Sequence, residues 1–254
     1  MFNLEGKVIL VTGGSRGIGA ATVRAVGEAG ADVIVHYNRH REGAERVAAE
    51  VGSERCHLIQ ANFESDDEIL KLWRKAIAWK GGIDVLVNNA GVMEWAGIEE
   101  DFTTWNDVLR KTLQVNVASS AHLCYMAVPH FRERGGGIII TMSSHVAHQG
   151  ARAPETMAYA ASKAAIRAMT QTVARCYSIE NILAYAIAPG IVETDIAIDF
   201  IERFSSLDDV LAGLTMHEMV QPEDIAAVVA YLATGKSRHA TGTTVDMTGA
   251  TYIR

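Results

Sequence analysis

The feature that most constrains this chain is a series of short, almost purely apolar runs: Val8-Ile9-Leu10-Val11, Val33-Ile34-Val35, Val85-Leu86-Val87, Ile138-Ile139-Ile140 and Ala184-Tyr185-Ala186-Ile187-Ala188. A strand with one face in water alternates apolar with polar residues, and these runs do not. They read as strands covered on both faces, spanning 7–12, 32–37, 56–60, 84–88, 137–143, 183–187 and 243–247. Stretches of helical spacing at 17–29, 40–51, 65–79, 103–134, 157–179 and 222–234 lie between them, with Ser65 and Thr103 placed as N-caps. Alternating strand and helix implies an α/β fold: a seven-stranded parallel sheet flanked by helices on both faces.

At 254 residues, with no Pro/Ser-rich linker or charge block, residues 1–254 read as a single domain. The segment 191–221 breaks the rhythm and reads as a substrate lid, although a plain surface insertion accounts for it equally well. A composition of 49% hydrophobic and 21% charged residues supports a substantial core in a globular chain. There is no secretory leader pattern and no run of about 18 apolar residues, so a cytoplasmic location is expected. A net charge of −7 argues against a nucleic-acid surface and favours small-molecule partners. The three cysteines, Cys56, Cys124 and Cys176, are too scattered for a disulfide framework or a zinc site. His145 and His148 have ligand spacing but no flanking carboxylate or thiol, so no metal is expected.

Directly after the first strand comes Thr12-Gly13-Gly14-Ser15-Arg16-Gly17-Ile18-Gly19, followed by an Ala-rich helix. Glycines at a strand-to-helix turn let a pyrophosphate approach main-chain N–H groups, and the helix N-terminus adds its positive end. Gly13, Ser15, Arg16, Gly17, Ile18 and Gly19 are therefore candidate dinucleotide contacts in a Rossmann-like, doubly wound domain. The second strand ends His36-Tyr37-Asn38-Arg39, with no carboxylate to meet a 2′-hydroxyl; Asp32 stands at the wrong end. Arg16 and Arg39, beside Asn38, suit a 2′-phosphate, so NADP(H) is the expected cofactor.

Tyr159 and Lys163 are four residues apart on a segment of strong helical propensity, which puts them on one helix face. A phenol needs its anion stabilised to exchange protons near neutral pH, and a neighbouring ammonium does that. Taken alone, a Tyr and a Lys one turn apart are an ordinary surface pair.

The TGxxxGxG turn together with this YxxxK pair resembles the short-chain dehydrogenases/reductases, and the likeness runs through essentially the whole chain. It implies a hydride transfer between NADP(H) and the carbonyl or secondary alcohol of a small ketone, sugar or polyol. Asn88-Asn89-Ala90-Gly91 matches the family's turn beside the adenine–ribose site, so Asn89, Ala90 and Gly91 are implied cofactor contacts. Asn116 matches a helix asparagine that holds a water linking the lysine to solvent, and Ser144 matches the serine that polarises the substrate oxygen. Pro189, Gly190, Val192 and Thr194 match the turn that holds the nicotinamide carboxamide. Tyr159 and Lys163 become, by this likeness, the acid–base centre and the ribose clamp. Asn62, beside Phe63, stands where the family usually has an aspartate against adenine; its amide oxygen still accepts a hydrogen bond. Tyr185 replaces a common asparagine, the loop from His145 to Ala158 is somewhat enlarged, and Val245-Asp246-Met247-Thr248-Gly249-Ala250 departs from the usual Asp-Gly-Gly turn.

His145, His148, Glu94, Trp95, Glu155 and Ile196 to Met219 are the expected substrate-pocket residues by the same likeness. Two rival functions stand beside this one. A 3-oxoacyl-[acyl-carrier-protein] reductase would meet its acidic carrier with Arg132, Arg134 and Arg175; a non-catalytic dinucleotide-sensing regulator would bind without turnover. The likeness also implies a homo-oligomer, a dimer or tetramer, built on the long helices near 103–134 and 157–179.

Overall fold

The computed structural model describes residues 2–253. Its strands are β1 (Val8–Val11), β2 (Asp32–Tyr37), β3 (Cys56–Gln60), β4 (Val85–Asn88), β5 (Gly137–Met142), β6 (Ile182–Pro189) and β7 (Thr244–Met247). All pair in parallel, in the order β3-β2-β1-β4-β5-β6-β7. The helices are α1 (Gly17–Glu28), α2 (Arg41–Val51), α3 (Asp66–Ala78), α4 (Phe102–Leu113), α5 (Ser119–Glu133), α6 (Val146–Gln149), α7 (Met157–Tyr177), α8 (Asp195–Phe204), α9 (Leu207–Ala212) and α10 (Pro222–Ala233).

Successive side chains of a strand point to opposite faces, so each apolar run feeds two cores at once. Ile9, Val11, Val33, Val35, Val85 and Val87 join Val23 and Val26 of α1, Val47 of α2 and Val229 of α10. Leu10, Ile34, Leu86 and Ile139 join Ile69 and Leu72 of α3, Leu123 and Phe131 of α5 and Val173 of α7. Each such side chain contributes about 1.5–3 kcal/mol through burial. That is why the strands carry no polar alternation. The chain winds outward from β1 in both directions, and the strand order reverses between β1 and β4. A crevice opens at such a switch point, beyond the carboxyl ends of the strands.

Several details differ from the sequence-based expectation. The helix expected over 103–134 is two helices joined by a five-residue π-turn at Gln114–Ala118. Asp101, not Thr103, caps α4, its carboxylate accepting the N–H groups of Thr103 and Thr104, whereas Ser65 caps α3 as expected. The segment 191–221 is not irregular: it folds into α8 and α9, and a parallel bridge between Val192 and Val220 pinches its two ends together.

Tyr185 lies at the centre of one core, fully buried, and its hydroxyl donates to the Ser237 carbonyl at 2.9 Å. It therefore ties β6 to the segment preceding β7. Tyr185→Phe is expected to cost about 1 kcal/mol in urea denaturation, the net value of one hydrogen bond. Tyr185→Ala is expected to cost about 3–5 kcal/mol through the cavity it leaves.

Candidate active site

The turn after β1 is shaped by contacts that leave no room for side chains. Gly13 has φ +66, and a Cβ on Gly19 would lie 2.0 Å from the Gly13 carbonyl oxygen. Arg16, at the N-cap of α1, makes no side-chain cap bond, so the first N–H groups of that helix have no partner within it. Donors left over at a helix N-terminus suit an anion. The brace beneath the turn comes from β4. The Thr12 hydroxyl accepts the N–H groups of Asn89 and Ala90 at 2.9 and 3.0 Å and donates to the Val87 carbonyl at 3.2 Å. The Asn89 amide donates back to the Thr12 and Gly13 carbonyls at 2.8 and 3.2 Å.

His36, at the end of β2, is a site residue that sequence reasoning missed. It is 2% exposed; Nδ1 accepts the Gly13 N–H at 3.0 Å, and Nε2 lies 3.0 Å from the Ala61 carbonyl. A carbonyl only accepts, so the hydrogen must be on Nε2 and the lone pair on Nδ1. Burial pulls its pKa down to about 4, which keeps the ring neutral, and the ring stacks on Phe63 with centroids 4.2 Å apart. Beyond it, the Asn62 side-chain oxygen accepts the Glu64 N–H at 3.1 Å and retains a second lone pair.

Around the corner from the glycine turn lies a groove of about 650 Å³ bordered by Arg16, Arg24, Arg39, Arg41 and Arg46. Arg16 pairs with Asp195 at 3.0 Å, Arg24 with Glu50 at 2.5 Å and Arg41 with Glu45 at 2.7 Å. Arg39 and Arg46 enter no ion pair among the described residues. Asp32 sits at the far end of β2, bound to Lys80 at 2.6 Å.

The other end of the cleft is built from β5 and α7. The Tyr159 phenol hydrogen-bonds Ser144; burial pushes its pKa up, and that hydrogen bond partly offsets the rise. Lys163 is 5% exposed, its ammonium donating to the Met142 carbonyl at 2.8 Å and lying 5.5 Å from the Tyr159 ring centre. Burial lowers the lysine to about 8. Ser143 locks the two elements together, its hydroxyl donating to the Lys163 carbonyl at 2.9 Å. The His145 ring nitrogen Nδ1 donates to the Pro189 carbonyl at 3.1 Å, which fastens the β5 loop to the turn after β6.

A continuous cleft of about 1270 Å³ joins these regions, and every sequence-predicted catalytic or cofactor residue lines it except Asn116. Asn116 sits behind the wall in the π-turn, 1% exposed. Its amide donates to the Val92 carbonyl and the Ser162 hydroxyl, both at 2.9 Å, and accepts the Val92 N–H at 2.8 Å. The widened turn thus hooks β4's loop onto the helix carrying Tyr159. Among the expected substrate residues, Glu94, His145 and Glu155 line the cleft, with Glu94 paired to Lys111 at 2.5 Å. Trp95 packs on Phe204 instead, and His148 is turned inward against Arg167 at 2.8 Å and the ring of Tyr252. From the expected stretch Ile196 to Met219, Phe200 and Phe204 are among the residues that line the cleft. Among the described residues there is no cluster of metal-ligating side chains, and no helix is long and apolar enough to cross a membrane.

Comparison with known proteins agrees with this geometry. A versicolorin reductase of Emericella nidulans is 32% identical over 99% of this chain and 97% of its own length. A solved mutant short-chain dehydrogenase/reductase of Serratia marcescens superposes with a TM-score of 0.88 at 32% identity, covering 98% of this chain and 99% of that one. A 3-ketoacyl-(acyl-carrier-protein) reductase from Brucella melitensis, solved with NADH, gives a TM-score of 0.88 at 26% identity over 99% of this chain and all of its own (100%). Residues 7–203 match the short chain dehydrogenase family, and the chain belongs to that family.

Proposed function

We propose that this protein transfers a hydride between NADP(H) and the carbonyl or secondary alcohol of a small substrate, with Ser144, Tyr159, Lys163 and Asn116 as its proton-handling group. The observation that carries the reading is the Ser144–Tyr159–Lys163 arrangement at one end of the cleft whose other end is the glycine turn. The bound nicotinamide supplies or takes up the hydride. In reduction, the Ser144 and Tyr159 hydroxyls hydrogen-bond the carbonyl oxygen, and Tyr159 gives that oxygen its phenolic proton as the C=O becomes C–OH. Lys163, charged below its pKa of about 8, stabilises the phenolate left behind. Asn116 holds the wall through which Lys163 regains contact with solvent protons. Tyr159→Phe is expected to lower kcat by roughly 10²–10⁴-fold while calorimetric binding of NADPH stays intact; a variant that turns over at near wild-type rate contradicts the assignment.

Preference for NADP(H) over NAD(H) is supported by Arg39 and Arg46, cations with no carboxylate partner, and by the absence of an acid at the end of β2. Arg16 serves the same phosphate once it leaves the exposed pair with Asp195, a pair that costs little to break. Arg39→Ala is expected to raise the KM for NADPH roughly 10- to 100-fold and to leave that for NADH nearly unchanged. Equal or better catalytic efficiency with NADH in the wild type contradicts the preference.

Two observations bear on the substrate. The lid side of the cleft is lined by Ile196, Phe200, Phe204, Val210 and Leu214, which favours a ketone on an apolar body over a sugar or polyol. The arginines expected to meet an acidic carrier lie elsewhere: Arg175 is in the last turn of α7, at the far end from Tyr159, and Arg132 is held by Glu180 and Arg134 by Asp84, both where α5 leads into the start of β5. That edge is about 20 Å of strand away from Ser144. NADPH oxidation across a panel of apolar ketones, keto sugars and 3-oxoacyl thioesters is expected to be fastest with the first group. Preference for an acyl-carrier substrate instead supports the carrier-linked reaction, and NADPH binding without any turnover supports a sensor. Oligomerisation through α4, α5 and α7, and a cytoplasmic location, complete the proposal.

A further inference from the structure

His36 does two things to the phosphate-binding turn at once. Its ring nitrogen Nδ1 accepts the Gly13 N–H at 3.0 Å, and its own carbonyl accepts the Gly14 N–H at 2.8 Å. Two successive N–H groups of the glycine turn are therefore spent on one residue of β2, and the N–H groups that follow, at the start of α1, are those left for an anion. The opposite edge of the ring reaches the Ala61 carbonyl at 3.0 Å, and its face covers Phe63. Both Gly13 and Phe63 line the cleft, as His36 does. One imidazole thus spaces the carboxyl ends of β1, β2 and β3.

We propose that His36 is a positioning residue for the dinucleotide, fixing the distance between the phosphate turn and the floor of the adenosine pocket. This rests on the reading that a dinucleotide occupies the cleft. Only a neutral ring with its hydrogen on Nε2 satisfies both neighbours: a second N–H on Nδ1 would face the Gly13 N–H and push the turn away. No other side chain offers an acceptor and a donor on opposite edges of a flat, stackable ring. Asn presents its oxygen near the place of Nδ1, and Gln presents its amide near that of Nε2, so the two halves of the role are separable.

The test compares His36→Asn, His36→Gln and His36→Phe by calorimetric titration with NADPH, by steady-state kinetics, and by hydrogen exchange at the Gly13 amide in the ligand-free protein. His36→Gln and His36→Phe leave the Gly13 N–H buried without an acceptor, and NADPH binding is expected to weaken roughly tenfold, with the loss falling on KM for NADPH far more than on kcat. His36→Asn is expected to recover most of that affinity and to keep the Gly13 amide protected, while exchange there is faster in the other two. Gln and Phe variants that bind NADPH as tightly as wild type overturn the proposal, as does an Asn variant no better than Phe. Losses that fall equally on kcat and KM and track thermal stability overturn it too, since they mark a merely structural residue. A wild-type protein that binds neither NADPH nor NADH overturns the dinucleotide reading itself, and the proposal with it.

Discussion

Covering both faces of the sheet leaves this chain only the strand ends at which to place polar chemistry. Ile9, Val11, Val33 and Val35 enter one core while Leu10 and Ile34 enter the other, so no strand interior has a face to spare. Because all seven strands are parallel, their carboxyl ends gather along a single edge. Thr12, His36, Ala61, Asn88, Ser143 and Pro189 all stand at or just beyond that edge. The reversal of strand order between β1 and β4 then opens the edge into a crevice. Buried polar groups there need partners, and the Thr12–Asn89, His36–Gly13, Ser143–Lys163 and His145–Pro189 bonds supply several of them.

The same constraint sets the electrostatics. Burial raises the Tyr159 phenol and lowers the Lys163 ammonium, so it favours the neutral form of each and moves their proton affinities apart. A solvated pair at the same spacing would keep ordinary values that nearly coincide. At the opposite end the requirement is reversed. The arginine groove is open to solvent, and three of its cations, Arg16, Arg24 and Arg41, pair with exposed carboxylates that hold them only weakly. Asp195 links helix α8, which it begins, to Arg16 of the glycine turn.

The strand runs and the glycine turn were legible in the sequence because each encodes a local requirement: burial on both faces in one case, close backbone approach in the other. The YxxxK pair was legible only in company, since a helix places any two such residues one turn apart. Ser144, Asn116 and the Pro189-Gly190 turn came through resemblance, and the structure brings them to one end of the cleft or its wall. What stayed hidden depends on contacts between distant elements. His36 is a histidine in an apolar run until the register of β2 against β1 and β3 sets it between Gly13 and Ala61. The π-turn at Asn116 has no periodicity of its own, and Asp101 won the cap position from Thr103 by offering a carboxylate one residue before the helix begins. Arg46 became a candidate only when α2 folded back beside the glycine turn.

The most direct test is a crystal structure of the protein grown with NADP⁺. The pyrophosphate is expected over the N-terminus of α1, the 2′-phosphate between Arg39 and Arg46, and the nicotinamide beside Tyr159 and the Pro189-Gly190 turn. Dinucleotide density elsewhere on the molecule, or a nicotinamide lying away from Tyr159, would contradict the assignment of the cleft.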